Sequence, residues 1–106
     1  VYYEDSRPFA IYANDIMVGY VLMYIGEENH QIINFMIDSR FQKMGYGLAA
    51  AKLCVEYLCK EYNARRISLP VKPENKVAHK LWSSVGFEMT NDMEDGYLFM
   101  RLYISI

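Results

Sequence analysis

The chain has 106 residues, of which 53% are hydrophobic and 23% charged, and its formal net charge is −2. Length and composition are typical of one globular domain with a core of its own. The small acidic charge and the lack of a basic block argue against a nucleic-acid partner. No apolar run is long enough to span a membrane, and the first residues, "VYYEDSRP", carry no signal-peptide pattern. We therefore expect a cytoplasmic protein without a membrane partner.

The first half of the chain predicts three strands. Residues 9–13 ("FAIYA") read as a strand, the pair 14–15 (Asn-Asp) as a turn, and residues 16–25 as a second strand that closes a hairpin. Gly19 inside the second strand indicates a bulge or a close backbone approach. Residues 31–37 ("QIINFMI") are nearly continuously apolar in the centre, which is typical of a strand covered on both faces.

A helix and a strand follow. Leu, Ala and Val recur at steps of three and four over residues 47–62, which predicts an amphipathic helix. Residues 65–71 ("RRISLPV") predict a buried strand, in which Pro70 indicates an edge or a splay point. The helix is thus the crossover between the strands at 31–37 and 65–71.

Two more elements complete the predicted order. Residues 73–75 ("PEN") open a second helix, whose apolar stripe runs through 78–85 and which Gly86 ends. Residues 96–104 ("GYLFMRLYI") predict a final strand. The order β-β-β-α-β-α-β describes a mixed α/β domain.

Two cysteines, Cys54 and Cys59, lie five residues apart in the first predicted helix. Their side chains therefore point to different sides of that helix, and neither a metal-binding pair nor a disulfide framework fits this spacing. We expect reduced thiols and no metal site.

The first helix begins at the glycine turn "QKMGYG" (42–47), without a Ser, Thr, Asp or Asn to cap it. A strand, a glycine turn and a helix start can hold a phosphate group, because free N–H groups and the helix dipole converge there. A dinucleotide fold would need GxGxxG, and a triphosphate loop would need Lys and Ser or Thr after the last glycine, where Leu48 stands. Both of these alternatives fail.

The turn resembles the acetyl-coenzyme A loop of the GNAT superfamily of N-acetyltransferases, whose pattern is Arg or Gln, two residues, Gly, one residue, and Gly or Ala. The segment "PENKVAHKLWSSVGF" (73–87) resembles the second motif of the same family. Within the family, the segments "FMID" (35–38) and "PENK" (73–76) resemble those of bacterial spermine/spermidine acetyltransferases. The resemblance implies an acyl-CoA N-acyltransferase fold over 1–106 as one domain, acetyl-CoA as cosubstrate without a metal, and acetyl transfer to a primary amine such as a polyamine.

The resemblance also implies the residues of the site. Backbone N–H groups around Met36 and Ile37 would stabilise the oxyanion, and Asn75 would contact the coenzyme arm or cap its helix. The residues implied in coenzyme binding are Phe35, Met36, Ile37, Gln42, Lys43, Met44, Gly45, Tyr46, Gly47, Leu48, Asn75 and Ala78. Gln42 would either shape the loop or contact the ligand.

Trp82 stands where many relatives carry a tyrosine that protonates the departing thiolate. An indole N–H donates a hydrogen bond but is not a usable acid. Trp82 is therefore either a wall of the acetyl pocket or an aromatic core anchor. Tyr24, Tyr46, Tyr97 or solvent are open alternatives as the acid.

No residue is assigned as the general base. The position of the glutamate that serves in some relatives is occupied by Ile33. The acidic and histidine residues near the predicted strand ends are typical of solvated loops, although their negative charge could attract a polyamine. These residues are Glu27, Glu28, His30, Asp92, Glu94 and Asp95.

Family domains begin with a strand and two helices that cover the acceptor side, and nothing before Tyr12 supplies them. We therefore expect a domain that is incomplete at its N-terminus, whose exposed sheet edges favour a homodimer. Two alternatives stay open: an acetyltransferase for another amine, such as an antibiotic, an amino acid or a protein N-terminus, and a coenzyme-binding or dimerisation module that does not catalyse.

Overall fold

The computed structural model describes residues 5–27 and 29–105, which form one six-stranded sheet, two α-helices and a short 3-10 helix at Ser39–Phe41. The strands follow the order β1-β2-β3-β4-β6-β5, and every neighbouring pair is antiparallel except β3 and β4. No helix in these ranges is long and apolar enough to cross a membrane. The predicted mixed α/β architecture is confirmed. The elements are β1 (Ser6–Ala13), β2 (Ile16–Tyr24), β3 (Asn29–Ile37), α1 (Tyr46–Tyr62), β4 (Arg66–Val71), α2 (Lys76–Val85), β5 (Glu88–Glu94) and β6 (Tyr97–Tyr103).

Strand β5 was not predicted. The prediction left residues 92–95 in a loop, whereas Glu88–Glu94 pairs with β6 and the turn between them is formed by Asp95 and Gly96, both with positive φ. The sequence "EMTNDME" lacks alternation because β5 is an edge strand with almost all of its side chains exposed. Charged side chains on an edge strand also oppose pairing with other molecules.

The bulge and the close backbone approach indicated by Gly19 are both present. Pairing between β1 and β2 shifts between Ile11 and Tyr12, so that Val18 has no partner on β1. A Cβ atom at Gly19 would collide with the carbonyl oxygen of Met36 on β3. The predicted turn at 14–15 is also confirmed, since both residues have the positive φ that a tight hairpin requires.

Both α-helices pack on the same face of the sheet and share one core. The cysteines are free, and burial raises the pKa of Cys54 to about 11. No described element covers the opposite face, which we call the open face. The core cluster includes Val21, Met23, Ile32, Ala51, Cys54, Leu58, Ile67, Leu69, Val71, Trp82, Phe87 and Met100.

The prediction that β3 is covered on both faces is wrong for its second half. Ile32 is buried, but Asn34 is exposed and the side chain of Met36 is 56% exposed. Ile33 has no partner on β2, and this bulge changes which residues face the helices. Asn34 and Met36 therefore lie on the open face.

Candidate functional site

Strands β3 and β4 separate part-way along their length. They pair only from Asn29 opposite Arg66 to Gln31 opposite Ser68, although β3 continues to Ile37. Pro70 falls in the part of β4 that pairs with β6 but no longer with β3, which confirms the predicted splay point. The result is a cleft, bordered by the free edge of β3, that opens toward the carboxyl ends of the two strands.

The glycine turn lies at the open end of this cleft and leaves its amides free. Gly45, with φ of 85°, is the N-cap of α1, and no side chain caps the helix. The first amide to reach a helical carbonyl is that of Ala49, which donates to Gly45 O at 3.2 Å. Within residues 5–27 and 29–105, none of the six amides of residues 43–48 donates to a protein acceptor. Free amides at a helix start form a site for an anion.

Side chains of the chain itself hold the turn in shape. The amide nitrogen Nε2 of Gln42 donates to the carbonyl oxygen of Ile37 at 2.9 Å. Asp38 accepts from the backbone N–H of Arg40 at 2.9 Å, and the hydrogen bond from the Arg40 side chain lowers the pKa of Asp38. Of the two roles expected of Gln42, the structure therefore contains the shaping one.

Helix α2 packs against the start of α1 through Leu81 and has a side-chain cap of its own. Asn75 Oδ1 accepts from the backbone N–H of Ala78 at 3.1 Å, so Asn75 is the N-cap of α2. The exposed side-chain nitrogen of Asn75 has no acceptor among the described residues and is available to a ligand. A Cβ atom at Gly47 would lie 3.9 Å from Ile37 Cγ1 and 4.0 Å from Leu81 Cδ2, so β3, α1 and α2 converge at Gly47.

Trp82 is part of the core. Its side chain is only 4% exposed, and its ring packs edge-to-face on Phe35 at 5.1 Å and on Phe87 at 5.3 Å between centroids. Of the two interpretations of Trp82, these contacts support the core anchor. The indole lies behind Phe35, on the helical side of β3.

The three candidate phenols are divided between the two ends of the cleft, with Tyr97 and Tyr46 at the open end. Tyr97 begins β6 beside the end of β4, and the Lys72 ammonium lies 5.9 Å from the centre of its ring. Tyr46 lies in the glycine turn, and Tyr24 pairs with Gln31 at the closed end of the cleft. The structure does not bring these phenols together.

The expectation that His30 is a solvated residue at a strand tip is wrong. β3 begins at Asn29, so His30 points into the core and is 1% exposed. Its Nδ1 accepts from the N–H of Gly26 at 3.2 Å, while Nε2 has no partner in the described part of the chain. Burial lowers the pKa of His30.

The acidic candidates are divided between strand, turn and tip. Asp92 and Glu94 belong to β5 rather than to a loop, while Asp95 is in the β5–β6 turn. Glu27 is exposed at the tip before β3, and Glu28 lies outside the described residues. No carboxylate of the described residues lies on β3 itself.

A cavity of about 530 Å³ on the open face collects residues that sequence reasoning missed. It lies against Gln31 and Ser68, the last pair before β3 and β4 separate. The sequence signals were the acidic residues Asp92 and Glu94, whose negative charge was noted above, and a lone Arg101 and a lone Ser68 in apolar strands. The cavity is lined by Asn29, Gln31, Ser68, Asn91, Asp92, Met93, Glu94, Phe99 and Arg101.

Comparison with known proteins decides the family. The sequence model of the acetyltransferase (GNAT) family matches residues 1–87. The chain belongs to the GNAT family. The turn with free amides contains the segment "QKMGYG" (42–47), on which the resemblance to GNAT enzymes was based.

Two N-acetyltransferases that this chain resembles come from Bacillus subtilis (strain 168). An uncharacterized N-acetyltransferase, YnaD, is 28% identical over 84 residues, which are 77% of this chain and 49% of YnaD. A spermine/spermidine N(1)-acetyltransferase is 25% identical over 96 residues, which are 83% of this chain and 63% of that enzyme. The chain thus spans between about half and two thirds of these relatives.

A solved structure of a Bacillus subtilis acetyltransferase in complex with CoA has the same fold. It superposes with a TM-score of 0.84 at 17% identity, covering 98% of this chain and 80% of that one. All the described elements of this chain are therefore those of the GNAT fold.

Proposed function

We propose that this GNAT domain is an acetyl-CoA-dependent N-acetyltransferase that acts on a primary amine. The observation that carries the proposal is the set of free amides at residues 43–48, at the start of an uncapped helix and beside the cleft. A diphosphate would accept hydrogen bonds from these amides, and the dipole of α1 would favour its charge.

The free edge of β3 would receive the rest of the coenzyme. An extended chain with amide groups can add to an unpaired strand edge through main-chain hydrogen bonds. The unpaired edge runs from Ile32 to Ile37, about 20 Å at 3.3 Å per residue. Laid along it, the pantetheine arm would extend from the glycine turn toward Gln31. Bound acetyl-CoA would supply an acetyl thioester on the cleft edge of β3.

The direction of the peptide groups separates the two candidate oxyanion donors. Asp38 donates its N–H to Val18 O on β2 at 2.7 Å. Because peptide groups of an extended strand point alternately to its two edges, the N–H of Ile37 points to the cleft and that of Met36 toward β2. Of the two candidates, Ile37 is therefore the one whose N–H faces the cleft, and Phe35 offers the next such amide, nearer to Gln31.

The chemistry also constrains the amine. Only a neutral amine has the lone pair that attacks the thioester carbon; the new C–N bond forms, the C–S bond breaks, and the amine proton must leave. Ile33 carries no proton acceptor, so in this proposal the proton leaves through water. The departing thiolate takes a proton from solvent or from a phenol, with Tyr97 beside the end of β4 as a candidate.

A polyamine is the proposed acceptor. The spermine/spermidine acetyltransferase among the relatives and the net charge of −2 both favour a cationic amine. The predicted homodimer, the cytoplasmic location and the incomplete N-terminus stay predictions. An acceptor of another class and a module without catalysis are the competing functions.

Two measurements test the proposal with the 106-residue chain. Thermal-shift titration with acetyl-CoA should raise Tm, since a ligand at a hundred times its Kd stabilises the folded state by about 2.7 kcal/mol. Pantetheine, which lacks the diphosphate, should have a much smaller effect. Thiol release with spermidine should then report transfer. Stabilisation without thiol release for any of a panel of amines would favour the non-catalytic module, and no stabilisation would overturn the proposal.

A further inference from the structure

The cavity on the open face adjoins the closed end of the cleft. Gln31 and Ser68 line it, and they are also the last paired residues before β3 and β4 separate. A group that reacts in the cleft would therefore have the remainder of its molecule within reach of the cavity. Its volume of about 530 Å³ leaves room for an extended small molecule.

A chain of polar contacts crosses four strands at the cavity. Asp92 on β5 pairs with Arg101 on β6 at 3.0 Å, Arg101 Nε donates to Ser68 Oγ on β4 at 3.0 Å, and Ser68 Oγ donates to Asn29 Oδ1 on β3 at 3.1 Å. Burial opposes the charge of Arg101, but Asp92 and Tyr103 outweigh it, so that the pKa of Arg101 is raised. The guanidinium is held by protein groups.

A distortion of β5 places Asp92 in this chain of contacts. The pairing of β5 with β6 is irregular between Met89 and Met93. In this stretch Thr90 Oγ1 donates to the carbonyl of Phe99 at 2.8 Å and accepts from the N–H of Asp92 at 3.1 Å. Bulges of this kind re-aim side chains at the edges of sheets.

The charges that the cavity can offer to a ligand are negative. Two carboxylates line it, Asp92 and Glu94, against one guanidinium, which already contacts Asp92 and Ser68. In the part of the chain that the structure describes, Glu94 has no ion-pair partner. Side-chain amides supply the remaining hydrogen-bond acceptors, and Phe99 supplies an apolar wall. An ammonium group fits this lining, whereas a carboxylate would have to displace Asp92 from Arg101.

We propose that this cavity binds a second positive charge of the acceptor, remote from the amine that is acetylated, with Glu94 and Asp92 as the residues that determine specificity. The inference rests on the proposed acetyltransferase function and narrows its acceptors to amines that carry another cationic group. Amino acids and other amines that carry a carboxylate are excluded by the same charges.

The test compares two acceptors in Glu94→Gln. kcat/KM for spermidine should fall about fivefold, mainly through KM, as expected for one exposed ion pair. kcat/KM for 1-aminopropane, which has no second charge, should not change. Glu56→Gln is the matched control, since it removes the same charge from the exposed side of α1. The proposal would be overturned if Glu94→Gln lowered kcat/KM equally for spermidine and 1-aminopropane, or if Glu56→Gln lowered kcat/KM for spermidine as much as Glu94→Gln does.

A second variant and a second readout keep the two proposals separate. Asp92→Asn should lower kcat/KM for spermidine further. It should raise kcat/KM for an acceptor with a carboxylate, such as β-alanine, because Arg101 loses its partner. Calorimetric binding of spermidine to the coenzyme-free chain should weaken in Glu94→Gln and not in Glu56→Gln. If no amine is acetylated but this difference in binding is seen, the cavity is supported and the transferase is not. If spermidine is acetylated equally well by Glu94→Gln, the cavity proposal fails and the transferase stands.

Discussion

The side chain of Gln42 joins the start of the glycine turn to the end of β3. Its Nε2 donates to the carbonyl oxygen of Ile37, the last residue of β3, at 2.9 Å. This bond sets the path of the chain from the strand to the first free amide at residue 43 before any ligand is present. A site that is already in shape loses less entropy when it binds.

Replacing Gln42 with methionine should loosen the turn. Methionine keeps the length of the side chain but cannot donate to Ile37. We expect the free energy of unfolding to fall by about 1 kcal/mol and the Kd for acetyl-CoA to rise by about two- to tenfold, the range of one net hydrogen bond. Urea unfolding and a binding titration would measure the two effects. An unchanged Kd would mean that the coenzyme itself imposes the shape of the turn.

Two glycines with nearly the same positive φ test the role of the free amides. Gly45 has φ of 85° and Gly96, in the β5–β6 turn, has φ of 84°, and a Cβ at either would meet no atom within 4 Å. Alanine should therefore cost both sites a similar amount of stability, about 1 kcal/mol. In Gly45→Ala the methyl group would stand where the diphosphate approaches, so we expect at least a tenfold rise in Kd for acetyl-CoA.

Gly96→Ala is the control for that strain and should bind acetyl-CoA as the parent chain does. The measurement is a calorimetric titration of both variants at matched folded fraction. Equal affinities of the two alanine variants would contradict a diphosphate site at Gly45.

The elements that could be predicted from sequence are those whose signal is local. The β1–β2 hairpin followed from the turn pair at 14–15 and the flanking apolar residues, and the binding turn followed from a helix start without a capping side chain. Each of these features is contained in about ten residues. β5 was missed because the exposed edge strand "EMTNDME" has no apolar alternation.

The cavity could not be predicted because its contacts are distant in sequence. Ser68 and Asn29 are 39 residues apart, and Arg101 and Ser68 are 33 apart. Only the pairing of β3 with β4 and of β4 with β6 brings them together. His30 was misjudged for a related reason: polar residues at 29–31 hid the start of β3, and with it the direction of the histidine ring.

Capping and ligand contact can be separated at Asn75. Serine also caps helices but lacks the free amide nitrogen, whereas alanine does neither. We expect Asn75→Ala to lower the free energy of unfolding by about 1 kcal/mol and Asn75→Ser to preserve it. Both should raise the Kd for acetyl-CoA by about two- to tenfold if the amide nitrogen donates to the coenzyme. Full affinity in Asn75→Ser would restrict Asn75 to the cap.

Trp82→Tyr and Trp82→Phe differ only by a hydroxyl group and so test whether this position needs an acid. Because the indole is buried behind Phe35, we expect kcat per folded molecule to agree within about twofold between the variants. Tyrosine should be the less stable variant, since an unpartnered buried hydroxyl costs about 1–3 kcal/mol. A kcat for Trp82→Tyr well above that of both the parent and Trp82→Phe would instead assign acid catalysis to this position.

His30 should make the fold sensitive to acid. In the folded chain burial lowers its pKa from 6.5, whereas in the unfolded chain the ring titrates freely. Between the lowered pKa and 6.5 the unfolded state binds more protons, so the free energy of unfolding rises with pH in this window. Stability is therefore full above pH 6.5 and is lost as the pH falls toward the folded-state pKa. Protonation of Nδ1 would also break its hydrogen bond from Gly26.

His30→Asn isolates this effect, because its Oδ1 can still accept from Gly26 but does not titrate. Urea unfolding between pH 5 and 8 should show that the variant loses less stability than the parent as the pH falls below 6.5. His79→Asn, on partly exposed α2, is the control and should follow the parent. Subtracting the parent's free energy of unfolding from that of the variant at each pH cancels the contribution of the carboxylates that both chains share. If the difference in the free energy of unfolding stays constant across this range, His30 is excluded as the group responsible. If the difference grows toward low pH, the acid sensitivity lies at His30, at the start of β3.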